Sequence, residues 1–141
     1  MSEALVLVDS SVWIRFWRNG SADPLYELVV ALLKQERVST NWLIRIEVLS
    51  GTPTEEIYRT RDADFSELRQ LELTEKVYQS ASALRWQLMR RGATIPVVDT
   101  LIAACAIHYG CDLLHDDQHF RLIARHAPLR LHPASAMRVQ H

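Results

Sequence analysis

The sequence predicts an α/β domain of three layers, a short and mostly parallel central sheet flanked by helices. Short apolar runs such as Leu5–Val8 and Asp112–His115 alternate with longer segments of helical spacing, the pattern of strands joined by crossover helices. The chain has 141 residues, 48% of them hydrophobic and 23% charged, and carries neither a repeat nor a low-complexity linker. That composition is ordinary for a globular protein, and one domain spanning 1–141 is the expectation.

The elements follow in order. Leu5–Val8 is a strand buried on both faces. Ser10 and Ser11 offer cap hydroxyls to a helix over Val12–Arg18 that Asn19-Gly20 ends. Asp23-Pro24 opens a second helix with the stripe Leu25, Leu28, Val29, Leu32 and Leu33. Val38–Thr40 reads as a strand and Leu43–Leu49 as a helix closed by Ser50-Gly51. Pro53 and Thr54 start a helix to about Phe65, and Leu71–Leu73 is a weak strand. Thr74 caps the longest helix, Glu75–Arg91, which Gly92 ends. After Pro96, a helix carries Val98, Leu101, Ile102 and Cys105 inward until Gly110. Asp112–His115 is a strand, Asp117–His126 a helix, and Leu129–Leu131 a last strand before a polar tail.

Charge and composition remove several classes. Sixteen Lys+Arg against seventeen Asp+Glu give a net charge of −1, so no global basic field marks a nucleic-acid binder, although a local patch remains open. Lys34 and Lys76 are the only lysines, so arginine, the better bidentate phosphate ligand, carries nearly all the positive charge. Cys105 and Cys111 match neither a disulfide framework nor a metal-ligand spacing. No signal-peptide pattern and no apolar run long enough for a membrane span is visible, which makes the cytoplasm the expected location.

Functional sites of open α/β sheets form beyond the carboxyl ends of the strands. Asp9 follows the first strand, Asp116 and Asp117 follow the strand at Asp112–His115, and Asp99 lies in the first turn after Pro96. Glu47 sits near the end of an otherwise apolar helix that reads as largely buried, with Arg45 expected to point elsewhere. Each acid alone has a structural use: Asp9 or Asp117 as a helix cap, Asp99 as a first-turn acid favoured by the dipole, Glu47 as a paired surface residue. Brought together, they form an oxygen-rich site suited to Mg²⁺, with Mn²⁺ the alternative, for phosphoryl chemistry. Such an ion lowers the pKa of an attacking water and stabilises the leaving oxygen.

Four segments resemble, in order, the motifs of PIN-domain ribonucleases, in particular VapC-type toxins of bacterial toxin–antitoxin pairs. They are VDSSVWI around Asp9, IRIEVLSG around Glu47, VVDTLIAACAIHYG led by Asp99, and LLHDDQHFRLIA around Asp117. The resemblance covers essentially the whole chain. It implies a PIN-like fold and a metal-dependent endoribonuclease in which Asp9, Glu47, Asp99 and Asp117 are the catalytic, metal-binding acids, Asp116 being the alternative in the fourth motif. It further implies 5′-phosphate and 3′-hydroxyl products, a cognate VapB-type antitoxin, an RNA substrate and a homodimer. Ser11 matches the hydroxyl residue beside the first acid, with a role either in orienting it or only in starting the helix. Arg15 and Arg18 are the candidates for holding the RNA backbone. His119 departs from the pattern, which often has Asp there; it and His115 read as polar residues at a helix N-terminus. A phosphatase of the haloacid dehalogenase type needs an acid at position 11, where Ser11 stands. A receiver domain needs an acid pair after the first strand, which is also missing. The remaining alternative is a PIN-fold scaffold that binds RNA or protein without cutting it.

Overall fold

The computed structural model describes residues 4–136. The end of the expected polar tail, residues 137–141, lies outside them. The elements run β1 (Val6–Val8), α1 (Ser10–Asn19), a 3-10 turn at Gly20–Ala22, α2 (Tyr26–Lys34), β2 (Val38–Thr40), α3 (Trp42–Ser50) and α4 (Glu55–Ser66). They continue with β3 (Arg69–Gln70), α5 (Glu75–Arg90), α6 (Val97–Tyr109), β4 (Asp112–Leu114), α7 (Gln118–Ala124) and a final 3-10 turn at Pro133–Ala136.

The sheet has the order β3-β2-β1-β4, and every pairing in it is parallel. Val6, Leu7 and Val8 are all fully buried. Because successive side chains point to opposite faces, both faces of β1 must be covered, which gives the expected three layers. Helix α6 supplies much of this cover, packing against α5, α3, α7 and β4. Its buried residues Ile102, Ala103, Ala104, Cys105 and Ala106 are mostly small, which allows close approach from several sides. Gly110 ends it at φ 66°, a left-handed conformation that glycine adopts without steric penalty.

Two expected strands differ. The third strand is Arg69–Gln70 instead of Leu71–Leu73. Only one further bond, Leu71 N–H to Thr40 O at 2.8 Å, extends it. The strand lies at the sheet edge and is polar, so an apolar run is the wrong signal for it. Leu129–Leu131 forms no strand but a single bridge, Leu131 to Leu113. Pro128 and Pro133 flank this stretch and limit how far a ladder can grow.

An aromatic cluster joins α1 to α4. Trp13 stacks on Trp17 with centroids 5.1 Å apart, and Phe65 meets both edge-on at 5.5 and 5.6 Å. These rings, with Phe16, Leu33 and Leu68, line a groove that Leu5, Val38 and Arg69 place at the amino ends of the strands. No helix among the described residues is long and apolar enough to cross a membrane. Phe65 is fully buried, so Phe65→Ala is expected to lower unfolding stability by about 3–5 kcal/mol in urea denaturation. A loss under about 1 kcal/mol would mean that the aromatic cluster is not part of the cooperative core.

Candidate active site

The carboxyl end of β1 sets the first acid. Asp9 is the N-cap of α1 in extended conformation, so its chain turns from strand to helix within one residue. The Asp9 N–H donates to Leu114 O at 2.9 Å, which ties this turn to the end of β4. Its carboxylate is held on one side only. Asp9 Oδ2 accepts the Ser11 backbone N–H at 3.1 Å and the Ser11 hydroxyl at 2.6 Å. Oδ1 is buried and has no hydrogen-bond partner among the described residues. Ser11 Oγ in turn accepts the Asp116 N–H at 2.9 Å. Ser11 therefore both orients Asp9 and joins the first motif to the fourth, which goes beyond starting a helix.

Glu47 reaches the same region from α3, where Ser10 Oγ donates to its Oε1 at 3.1 Å. The helix is less buried than its sequence suggests. Ile44, Arg45, Val48 and Leu49 face inward, while Ile46 and Glu47 are exposed. Arg45 does point elsewhere: it stacks on the Trp42 ring at 3.8 Å and bonds Asp62 at 2.8 Å. Asp99 stands in the first turn of α6, and Asp117 is the N-cap of α7, accepting the His119 N–H at 2.9 Å. His119 then closes the group, with Nδ1 2.7 Å from Asp99 Oδ2 and 3.2 Å from Asp117 Oδ1.

Burial and mutual charge raise the pKa values of three of these acids. Asp9 is only 3% exposed, and burial pushes its pKa up to about 6 against the two Ser11 hydrogen bonds, with help from the charges of Glu47 and Asp99. Glu47 is raised by burial and by Asp99 and Asp117, with Ser10 opposing. Asp99 is raised by burial and by Asp117, with the His119 hydrogen bond opposing. Asp9, Asp99 and Asp117 all lie at helix N-termini, whose unpaired amides offset part of this repulsion. Asp99, Asp117 and His119 offer ligand atoms within 4.8 Å of one another, and Asp9 and Glu47 lie near enough for their charges and those of these acids to act on each other. Hard oxygen donors with one buried, unpartnered oxygen fit a divalent cation such as Mg²⁺.

Two candidates take other positions. Arg15 is 4% exposed and faces inward. It makes two bonds to Asp23, Nε at 2.9 Å and a terminal nitrogen at 2.7 Å, and a further contact to Asp116 Oδ2 at 3.2 Å. It is therefore not presented to RNA. Burial opposes ionisation of Asp23, but the Arg15 bonds and the Leu25 and Asn19 donors hold it down at about 2. The same guanidinium pairs with Asp116, whereas Asp117 shares His119 with Asp99. Arg18 remains exposed on α1. Residues missed from the sequence are His119 as a member of the group, and Arg121 and Arg125. These two arginines share a surface groove with Asp116, Asp117 and His119. Their spacing of four residues along α7, beginning four after Asp117, is the signal that was there to find.

The PIN-domain family model matches residues 6–126. A VapC ribonuclease of Mycobacterium bovis is 30% identical over 125 residues, covering 86% of this chain and 92% of its own. Ribonuclease VapC11 of Mycobacterium tuberculosis matches to the same extent. Among solved structures, VapBC2 of Rickettsia felis bound to a promoter DNA fragment shares the fold with TM-score 0.75 at 20% identity, covering 91% of this chain and 97% of that one. VapC20 of Mycobacterium tuberculosis, a toxin that cleaves the sarcin–ricin loop, does so with TM-score 0.63 at 16% identity, covering 89% and 98%.

Two stability measurements check this geometry. Arg15→Met leaves Asp23 buried without its cation and is expected to destabilise the protein by about 3–5 kcal/mol in urea; a loss under about 1 kcal/mol would contradict a buried ion pair. Asp9 has the opposite sign. Its folded pKa lies above the ordinary 3.8, so the folded chain holds a proton that the unfolded one releases. Metal-free protein is therefore expected to gain stability as pH falls from about 7 to about 5, with about 1 kcal/mol from Asp9. Asp9→Asn should flatten that dependence and stabilise the protein near pH 7. Equal pH slopes for parent and variant in chelator would overturn the assignment.

Proposed function

Because this chain belongs to the PIN-domain family, we propose that it is a metal-dependent endoribonuclease toxin, cutting RNA phosphodiester bonds by hydrolysis under the control of a VapB-type antitoxin. The observation that carries the reading is the meeting of Asp9, Glu47, Asp99 and Asp117 at the carboxyl end of the sheet, with Asp9 Oδ1 buried and unpartnered. The two mycobacterial relatives are both ribonucleases by name, which supports the same chemistry.

These four acids would hold one or two Mg²⁺ ions, or Mn²⁺ in their place. A divalent ion there supplies activation of water and neutralisation of the charge that develops on the phosphate. The chain's own residues do the positioning. Ser11 fixes Asp9 Oδ2 through two hydrogen bonds, so that Oδ1 keeps one direction. Ser10 steadies Glu47, which lies on the most open side of the group. Arg18, exposed on α1, and Arg121 and Arg125, beside Asp117, hold the RNA backbone through charge-assisted bonds to phosphate. Hydrolysis leaves a 5′-phosphate and a 3′-hydroxyl.

The apolar groove lined by Trp13, Phe16, Trp17, Leu33, Phe65 and Leu68 is a suitable seat for an antitoxin segment. It lies at the amino ends of the strands, so a partner seated there contacts a different edge of the sheet from the acids. A homodimer in the cytoplasm remains part of this reading.

Single Asp9→Asn and Asp99→Asn proteins are expected to cleave RNA in Mg²⁺ about 10²-fold or more slowly than the parent, the usual loss for one positioned electrostatic group. Mg²⁺ or Mn²⁺ at millimolar concentration should raise the melting temperature of the parent, because a ligand of the folded state alone stabilises it. Parent-like cleavage by both variants would overturn the catalytic role of these acids, whereas no cleavage by the parent together with no shift with either ion would leave the non-cutting scaffold as the better reading.

A further inference from the structure

Three donor atoms from two helix starts meet at one edge of the acid group. His119 Nδ1 is 2.7 Å from Asp99 Oδ2 and 3.2 Å from Asp117 Oδ1, and one atom from each residue lies within 4.8 Å of the other two. Neighbouring ligands around a six-coordinate divalent ion with bonds of about 2.1 Å are about 3 Å apart. Hydrogen-bonded as they stand, these atoms already have the mutual spacing of ligands on one ion. Little rearrangement is needed to use them so. Asp117 is fixed as the cap of α7 by the His119 N–H, and Asp99 is fixed in the first turn of α6. An independent observation beside this group also points to an ion: Asp9, 3% exposed and near enough to feel the Asp99 charge, has no partner on Oδ1 among the described residues while Oδ2 is doubly bonded.

We propose that His119 is a direct metal ligand through Nδ1, together with Asp99 and Asp117, and that it makes the site a mixed nitrogen–oxygen centre that favours a transition-metal ion over Mg²⁺. The inference rests on the metal-dependent reading above and narrows it to an ion class. Mg²⁺ takes oxygen ligands and retains its waters, whereas imidazole suits later first-row ions and is accepted by Mn²⁺. A carboxylate at position 119 would serve any of these ions through oxygen. Imidazole there shifts the balance, because its neutral nitrogen is a softer donor and adds no further negative charge to a crowded group.

Mn²⁺ provides the probe, through pulsed electron paramagnetic resonance of the metal-loaded full chain. The parent is expected to show coupling of bound Mn²⁺ to an imidazole ¹⁴N, and His119→Asp to lose it while still binding Mn²⁺. In competition, the Mg²⁺ needed to displace Mn²⁺ should fall by about tenfold or more in His119→Asp relative to the parent. His119→Asn, with the melting temperature of each metal-free variant, separates loss of the ligand from loss of the fold. Bound Mn²⁺ without ¹⁴N coupling in the parent, or with the same coupling in His119→Asp, overturns this inference alone. No Mn²⁺ or Mg²⁺ binding by the folded parent overturns the metal-dependent reading with it.

Discussion

Like charges held close in a poorly solvated place are the constraint around which the rest of the site is arranged. Asp9, Glu47 and Asp99 are all pushed toward the protonated form by burial and by one another or Asp117. Nothing in the core requires carboxylates there; aliphatic residues at the strand ends would pack without this penalty. What offsets the repulsion is local and weak in each case: the Ser11 hydroxyl and amide on Asp9, Ser10 on Glu47, His119 between Asp99 and Asp117. Three of the four acids also gain from helix N-termini, each worth a few tenths to about 1 kcal/mol. Glu47, late in α3, lacks that contribution, and it is the acid that the fold leaves most open to water.

The sheet topology explains why acids far apart in sequence arrive together. From β1 the chain moves to β2 on one side, whereas β4 pairs on the other, so the connections diverge beyond the ends of β1 and β4. The register Val8 to Leu114 then puts Asp9 directly beside the start of the fourth motif. Ser11 completes the junction by accepting the Asp116 N–H. A shift of one residue in this pairing would swap the layer against which each β1 side chain packs, so the fit of Val6, Leu7 and Val8 between two covered faces also protects the spacing of the acids. Core packing and site geometry are thereby the same constraint seen from two ends of β1.

The parts of this arrangement that depend on local pattern were legible in the sequence. Strands β1, β2 and β4 announce themselves by apolar runs, and Asp9, Thr54, Thr74 and Gly110 by their positions at helix ends. The four candidate acids were proposed from their places in motifs that resemble the family's. What local pattern did not carry were pairings across the fold. Arg15 reads as a surface arginine until Asp23 and Asp116 are placed around it. His119 reads as a helix-start polar residue until α6 brings Asp99 to it. Strand β3 is polar because it is an edge, and the tail strand fails because two prolines confine it. The misses at Arg15, His119 and β3 come from the tertiary setting, whereas the prolines around Leu129–Leu131 were a local signal passed over.

Arg15 shows how the fold can afford such a site. It places one cation in the core beside the acids, yet spends it on Asp23 and Asp116 instead of on the four that converge. A guanidinium aimed at Asp9 would cancel the repulsion, and it would also compete for the very oxygen that a cation needs. Turned toward Asp23, it holds the loop before α2 and pairs with Asp116, while Asp9 Oδ1 has no hydrogen-bond partner among the described residues. The destabilisation that remains is therefore retained at a defined atom, and any ion that binds the folded chain there stabilises it by relieving that strain. On the metal-dependent reading, stability and ion affinity at this site would be coupled through the same buried oxygen, so the geometry that makes the metal-free protein less stable would be the geometry that gives an ion its place.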